Sequence, residues 1–312
     1  MIIFLQQVIS GLTYGSIISL IALGYTMVYG IVELINFAHG DLFMLGAFFM
    51  LMLIGGADLQ SLSLFSGLLL ILVVAIFTAF LNWGVHRWVY QPLLQSPRLT
   101  LLVSAIGVSF IFQNIGLLWG RIPMEVFGMG ISAAAPKNVP SLISSENLLG
   151  ETTLLRFTMK DLAVVLVTIS LMTLLHLFVR YTRLGKAMRA TAQDPIAAQL
   201  MGIDVNQVIS TTFLIGGALA GAASVIYSLY VNTVSYQMGY TAGLYAFTAA
   251  VLGGIGNIRG AMVGGLVIGL VRYLGIQYIG AQWENAVVFS ILIFILIFKP
   301  TGLLGTDLRE KV

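Results

Sequence analysis

VNQVISTTFLIGGALAGAASVIYSLYVNTVSYQMGYTAGLYAFTAAVLGGIGNI, residues Val205–Ile258, runs for 54 positions without one Asp, Glu, Lys or Arg. About 20 apolar residues are enough for a helix to cross a bilayer, so this stretch holds two crossings. The polar turn Asn232-Thr233-Val234-Ser235-Tyr236-Gln237 divides them. Met1–Val32 is a second charge-free run, of 32 residues, and Leu59–Val85 a third, of 27. Several such runs in one chain predict an all-α polytopic membrane protein.

Working outward, nine crossings are expected, at 4–30, 40–56, 62–85, 99–119, 161–180, 207–231, 241–256, 261–279 and 283–299. The count is eight if the short segment 241–256 is re-entrant, and some spans are expected to be discontinuous. Composition agrees: 59% of the 312 residues are hydrophobic and only 9% charged, against about 25% charged in soluble domains. The first run lacks a basic leader and is too long for a signal peptide, so it reads as a retained span. With no Cys, disulfides, thiolate metal sites and thiol catalysis are excluded. The net charge of +3 is assigned to loops that set orientation, not to nucleic-acid binding.

Arg87 and Arg98 flank one connection, Arg180, Arg183, Lys186 and Arg189 follow the fifth span, and Lys299, Arg309 and Lys311 lie in the tail. The positive-inside rule places all three in the cytoplasm. The loops near 57–61 and 232–240 have no Lys or Arg and fall outside. The N-terminus is then external and the C-terminus cytoplasmic, which favours a full crossing at 241–256. One membrane domain over 1–312 is expected. It includes an external loop, 120–160, that is either self-contained or a docking surface, and a cytoplasmic loop, 180–206.

All seven prolines lie outside or at the edges of the spans, whereas nine of the 34 glycines fall between Gly239 and Gly269. Gly217/Gly221, Gly260/Gly264 and Gly265/Gly269 have the spacing that lets helix backbones approach closely. Two polar, glycine-containing breaks stand out. Asn36-Phe37-Ala38-His39-Gly40-Asp41 joins the first two spans, and Gly253-Gly254-Ile255-Gly256-Asn257-Ile258-Arg259-Gly260 joins the seventh to the eighth. Non-helical backbone at membrane depth is tolerated only in protein or beside a water-filled cavity. Asn36, Phe37, His39, Asp41, Gly254, Gly256 and Asn257 are therefore candidates for a translocation pathway, with cytoplasmic turns as the plainer reading. Asp41, near a helix start, reads more simply as a cap.

In the cytoplasmic loop, Asp194 suits an N-cap, Pro195 the first helical position and Gly202 a helix end. The short helix between them presents Ile196, Ala197, Leu200 and Met201 as a small apolar surface, for its own span ends or for a cytoplasmic partner. Arg272 is expected to reach the outer interface or to pair with Glu284. His39, His86 and His176 are too scattered for a metal site, and no phosphate-binding Gly-x-x-x-x-Gly-Lys-Ser/Thr motif occurs. No nucleophile–base or metal constellation marks an enzyme. An ion-coupled transporter would need buried acids in mid-span, which the sequence barely offers.

Ile21–Gly30, Ile35–Gly40, Ser104–Gly107, the Gly185–Gly202 loop, Ala246–Gly256 and the terminal Pro300-Thr301-Gly302 together resemble the LivH-type permease of bacterial branched-chain amino-acid ABC transporters. The likeness covers nearly the whole chain, least clearly the external loop. It implies an inner-membrane importer subunit for branched-chain or other neutral amino acids, with urea or short amides as the alternative. It also implies a second related permease, two cytoplasmic ATPases that carry the ATP and Mg, and an external solute-binding protein. This chain itself would bind no cofactor. On that resemblance Asp194, Pro195, Ala197, Ala198, Leu200 and Gly202 form the element that couples to the ATPase.

Overall fold

A computed structural model describes residues 1–33, 36–57, 63–94, 96–130, 132–150 and 153–305, with the backbone alone for Arg98. Ile35, Leu59, Arg309, Lys311 and most of the 57–61 loop, all used in the sequence reading, lie outside the described residues.

The described residues are mainly helical: α1 (Ile2–Val32), α2 (Ala38–Gly56), α3 (Leu64–Val85), α4 (Arg98–Trp119), α5 (Met159–Tyr181), α6 (Arg183–Gln193), α7 (Pro195–Leu200), α8 (Val205–Val231), α9 (Met238–Gly253), α10 (Ile258–Tyr278) and α11 (Glu284–Phe298). Helices satisfy their own backbone polar groups, which hydrocarbon requires. Among the described residues, eight helices are long and apolar enough to cross a membrane. α9, with 16 residues, falls short of that length. It still carries the chain from the end of the bundle where α8 stops to the end where α10 begins. Its shortness follows from its surroundings: it packs on α1, α2 and α10 and is buried over most of its length.

The helices sort into two rings. In α1 and α2, 78% of the apolar window is buried within the protein, and in α8 72%. The figure is 22% in α3 and α5 and 6% in α11. The outer helices present Leu64, Phe65, Leu72, Phe294 and Phe298, a face suited to lipid or to another apolar subunit.

The glycine spacings serve packing. α1 and α10 run antiparallel, with Gly11 against Leu270 and Gly15 against Gly265 and Leu266. Ser19 Oγ donates 2.8 Å to the Met262 carbonyl across the same seam. Gly217 and Gly221 lie against Val74–Ala79 of α3, and Gly260 and Gly264 against Ala249 and Gly253 of α9.

At the end carrying Met1, the 120–158 connection folds into a short 3-10 helix, Glu125–Gly130, and a two-residue strand, β1 (Lys137–Asn138). β1 pairs antiparallel with β2 (Thr233–Val234). Lys137, awkward in a loop expected to be external, is buried, and its Nζ donates to the Phe127 and Ser132 carbonyls.

A Cβ on Gly265 would stand 2.5 Å from Ser19 N and 2.6 Å from Ser19 Cα. Overpacking of this kind costs about 1–3 kcal/mol, so Gly265→Ala should lower the unfolding temperature in detergent. Gly67→Ala, with nothing within 4 Å of the added carbon, should leave it unchanged or raise it. Equal stability of the two variants would contradict the close seam.

Candidate translocation and coupling sites

α2 does not start at the end of the bundle. Its His39 packs beside Gly24 of α1, with its ring 4.7 Å from that of Tyr25. α1 continues eight residues further, to Val32, which at ~1.5 Å per residue is about 12 Å. The chain after α1 therefore turns back into the bundle before α2 begins. Phe37 precedes α2 and gives no side-chain cap. Asn36 supplies one instead: its Oδ1 accepts from Ala38 N at 3.2 Å and from Tyr90 OH at 2.7 Å.

Asp41 is not a cap, contrary to the simpler sequence reading. It sits one turn into α2 and is 1% exposed. Ser109 Oγ, halfway along α4, donates to its Oδ2 at 2.5 Å, and Gln113 Nε2 donates 3.3 Å to that same hydroxyl. The start of a helix favours a negative side chain, which helps this carboxylate at mid-span depth. The sequence reading, which found almost no mid-span acid, undervalued Asp41.

Asn36 and His39 are as deeply buried as Asp41, so the three lie inside the subunit and do not border an open channel in this conformation. Phe37 is half-buried, its ring 6.2 Å from that of Phe247. The residues that complete this cluster were missed by sequence reasoning: Tyr25, Asn82, His86, Tyr90, Ser109 and Gln113. Their one signal was a polar group in an apolar span. Two of them stand where α3 leaves α-helical geometry. It continues as a π turn, His86–Tyr90, and a 3-10 turn, Gln91–Leu93. His86 stacks on Phe213 at 4.6 Å, and Asn82 Nδ2 donates 2.7 Å to the Phe213 carbonyl. π turns recur at functional sites.

The second break is built differently. Gly254 and Gly256 have φ of 103° and 89°, values that L side chains rarely adopt. Asn257 caps α10, accepting from Arg259 N at 3.0 Å and Gly260 N at 3.2 Å, and its Nδ2 donates 2.6 Å to the Leu304 carbonyl. Leu303 N and Leu304 N donate to the Leu252 and Gly253 carbonyls, so the Pro300–Gly305 turn straps the break. Gly256 and Asn257 border a cavity of about 940 Å³ shared with Tyr29, Glu33, Arg180, Arg189 and Arg259. Asn36, Phe37, His39, Asp41 and Gly254 do not line it. Gly256 of the second break packs against Gly30 near the end of α1.

α6 and α7 project at this same end. Thr182 caps α6 by accepting from Gly185 N at 3.0 Å. Asp194 caps α7 through Ile196 N and Ala197 N, both at 3.0 Å. Pro195 takes the first helical position, and Gly202, at φ 83°, follows the end. Ile196, Leu200 and Met201 are 71%, 83% and 83% exposed. Ala197 is exposed too. Ala198 differs: at 4% exposure it faces the subunit's own body and cannot belong to an outward contact surface.

The model for the family described as branched-chain amino acid transport system / permease component matches residues 7–298. The chain is 39% identical over 317 aligned positions to the high-affinity branched-chain amino acid transport system permease protein LivH of Escherichia coli (strain K12), covering 99% of this chain and 98% of that one. It is also 39% identical over 314 positions to the permease protein BraD of Pseudomonas aeruginosa, with the same coverage. Identity to a probable LivH permease of Methanocaldococcus jannaschii is 25%, over 95% of this chain and 91% of that one. No solved structure matches. The chain therefore belongs to the family of branched-chain amino acid transport system permease components, and it is a membrane-spanning permease subunit of an ABC importer, not an enzyme.

Proposed function

We propose that the chain, as one permease domain, moves branched-chain or other neutral amino acids across the bacterial inner membrane. It works with a second related permease, two cytoplasmic ATPases that bind ATP and Mg, and an external solute-binding protein. The observation that carries this reading is the 39% identity to LivH and BraD over nearly the full length of both chains. The N-terminus lies outside and the C-terminus inside. Tags on the two ends should be accessible from opposite sides of intact cells, and accessibility from one side only would refute this orientation.

α7 is the coupling element. Ile196, Leu200 and Met201 form its docking face, Asp194 and Gly202 fix its two ends, and Ala198 anchors it to the subunit. Burying that small face at ~25 cal/mol per Å² contributes only a few kcal/mol, which suits a joint that transmits motion. An Ile196→Glu, Leu200→Glu double variant should insert and unfold normally, because both side chains are exposed. It should lose roughly 90% or more of solute-stimulated ATP hydrolysis and of uptake together, since each buried, unpaired charge costs kcal/mol. Ala198→Glu should instead lower the stability of the permease itself. Wild-type uptake by the double variant at normal membrane levels would sink the assignment.

The two breaks, Asn36–Asp41 and Gly253–Gly260, flank the solute route. The chain has no Cys, so single cysteines report cleanly. A cysteine at Asn257 should label without nucleotide, because the cavity already reaches it. One at Phe37 should label only in another nucleotide state of the complex. A Phe37 cysteine unlabelled in every state, while other positions respond, would remove the first break from the route.

A further inference from the structure

Six polar side chains converge away from both breaks, in the half of the bundle nearer Met1. Arg272 of α10 lies six residues before Tyr278, about 9 Å along the helix. Its Nε meets Glu284 Oε1 of α11 at 2.5 Å. Tyr245 OH of α9 donates to the same Oε1 at 2.6 Å and also reaches Asn285 Oδ1 at 2.6 Å. The guanidinium carbon lies 4.0 Å from the ring centroid of Tyr14 of α1 and 5.5 Å from that of Tyr273. The pairing weighed from sequence is thus present, but its geometry is lopsided. A bidentate Arg–carboxylate pair would use two nitrogens and both oxygens. Here the ion pair uses Nε, leaving the two Nη groups outside it. Glu284 accepts both bonds on Oε1, leaving Oε2 outside them.

The pair is also not sealed: the two side chains are 19% and 20% exposed. Charges at membrane depth that face hydrocarbon are expensive, and they normally turn to a water-filled space or to protein. What remains is the Nη side of the guanidinium, shared in part with the Tyr245 hydroxyl, next to a carboxylate oxygen and over aromatic faces. That arrangement complements a small molecule carrying an anionic and a cationic group on one carbon.

We propose that Arg272 and Glu284 form a transient binding station for the zwitterionic head of an α-amino acid entering from the external side. The Nη groups take the α-carboxylate and Glu284 Oε2 takes the α-ammonium. Tyr14 and Tyr273 supply the surrounding aromatic faces. This rests on the transport reading above and adds to it a recognition site in the permease itself, separate from any site on a binding protein. A molecule with only one of the two charges leaves one partner unmatched, so the station selects zwitterions. A zwitterionic lipid headgroup has related chemistry, and the experiment separates it.

The test uses the assembled permease–ATPase complex in nanodiscs without binding protein, with a cysteine at the exposed Ala281, one turn from Glu284. Labelling by an impermeant maleimide is measured with leucine, 3-methylbutylamine or 4-methylpentanoate. At roughly 10 mM, leucine should slow labelling about threefold or more, as millimolar affinity requires, and the two single-charge analogues should not. Arg272→Gln should abolish the protection, and Arg272→Lys, which keeps charge but loses the fork, should weaken it. No protection by leucine, equal protection by all three molecules, or protection unchanged in Arg272→Gln would overturn the proposal. Protection that follows the phosphatidylethanolamine content of the nanodisc and ignores leucine would assign the site to lipid and overturn it too.

Uptake with the binding protein present then isolates a purely structural role. The exchange Arg272→Glu, Glu284→Arg keeps an ion pair between α10 and α11 but reverses the order of charges. Wild-type uptake by that variant would show the pair to be only a tie. If the unmodified complex takes up no neutral amino acid at all, the transport reading fails, which is a different result from loss of the station.

Discussion

The architecture depends on helix backbones that come close enough to touch. Between α1 and α10 no side chain separates the two backbones at Gly11, Gly15, Gly265 and Gly269. Apolar burial cannot drive helix association in lipid as it does in water, because the tails are themselves apolar. Van der Waals contact and a few cross-helix hydrogen bonds, such as Ser19 to the Met262 carbonyl, have to do it. Small residues permit both. With α3 seated on Gly217 and Gly221 and α9 on Gly260 and Gly264, the same device seats an outer helix on α8 and joins α9 to α10. The bulky apolar side chains are left for the outer faces.

That compact centre makes room for the inward start of α2. A helix beginning about 12 Å inside the bundle brings unpaired backbone N–H groups, Asn36, His39 and Asp41 to a depth where water is scarce. Protein must supply the partners there, and it does so for Asn36 Oδ1 and Asp41 Oδ2 but not for Asn36 Nδ2 or Asp41 Oδ1. Asn36 takes Ala38 N and Tyr90 OH, and Asp41 takes Ser109. Tyr90 is in position because α3 gives up regular α geometry at His86 and continues as a π turn. The irregularities of α2 and α3 are therefore one arrangement. Moving α2 would disturb Tyr90, and relaxing α3 would release Asn36. Such a linked pair suits a subunit that must alternate between conformations, whose states a partner biases by binding one of them better.

The spans were legible because hydrocarbon allows few backbone solutions. Nine expected segments meet nine helices within a few residues, and 241–256 corresponds to α9, Met238–Gly253. Its full passage between the two ends of the bundle agrees with the preference for a crossing that the basic tail supplied. The Asp194 cap was legible as well, since it acts on backbone groups two and three residues away, whereas Asn257, expected only as a pathway residue, proved to cap α10. Depth and facing were not. Nothing local in Asn36–Asp41 tells a turn at the membrane surface from a helix starting inside. That depends on Gly24, Tyr25 and Gly216, distant in the chain. Nor does a six-residue helix announce its buried side. Ala197 and Ala198 are identical in type, yet one is exposed and the other covered, because α7 rests on α6 and α8.

These separate features meet at the end of the bundle where α6 and α7 project. α6 follows α5 through the single residue Thr182, and α7 follows α6 through the single residue Asp194, both of them caps. Such short, hydrogen-bonded joints leave little slack, so displacement of α7 passes to α6 and α5. The walls of the neighbouring cavity come from α5, α6, the end of α1 and Ile255–Asn257 of the second break. A movement delivered at α7 therefore reaches the break through shared walls. Gly30 against Gly256 then places the end of α1 in the same contact chain. Contacts that run from the projecting helices through the cavity walls to Gly256 and the end of α1 are what transmission of a conformational change through a membrane domain requires.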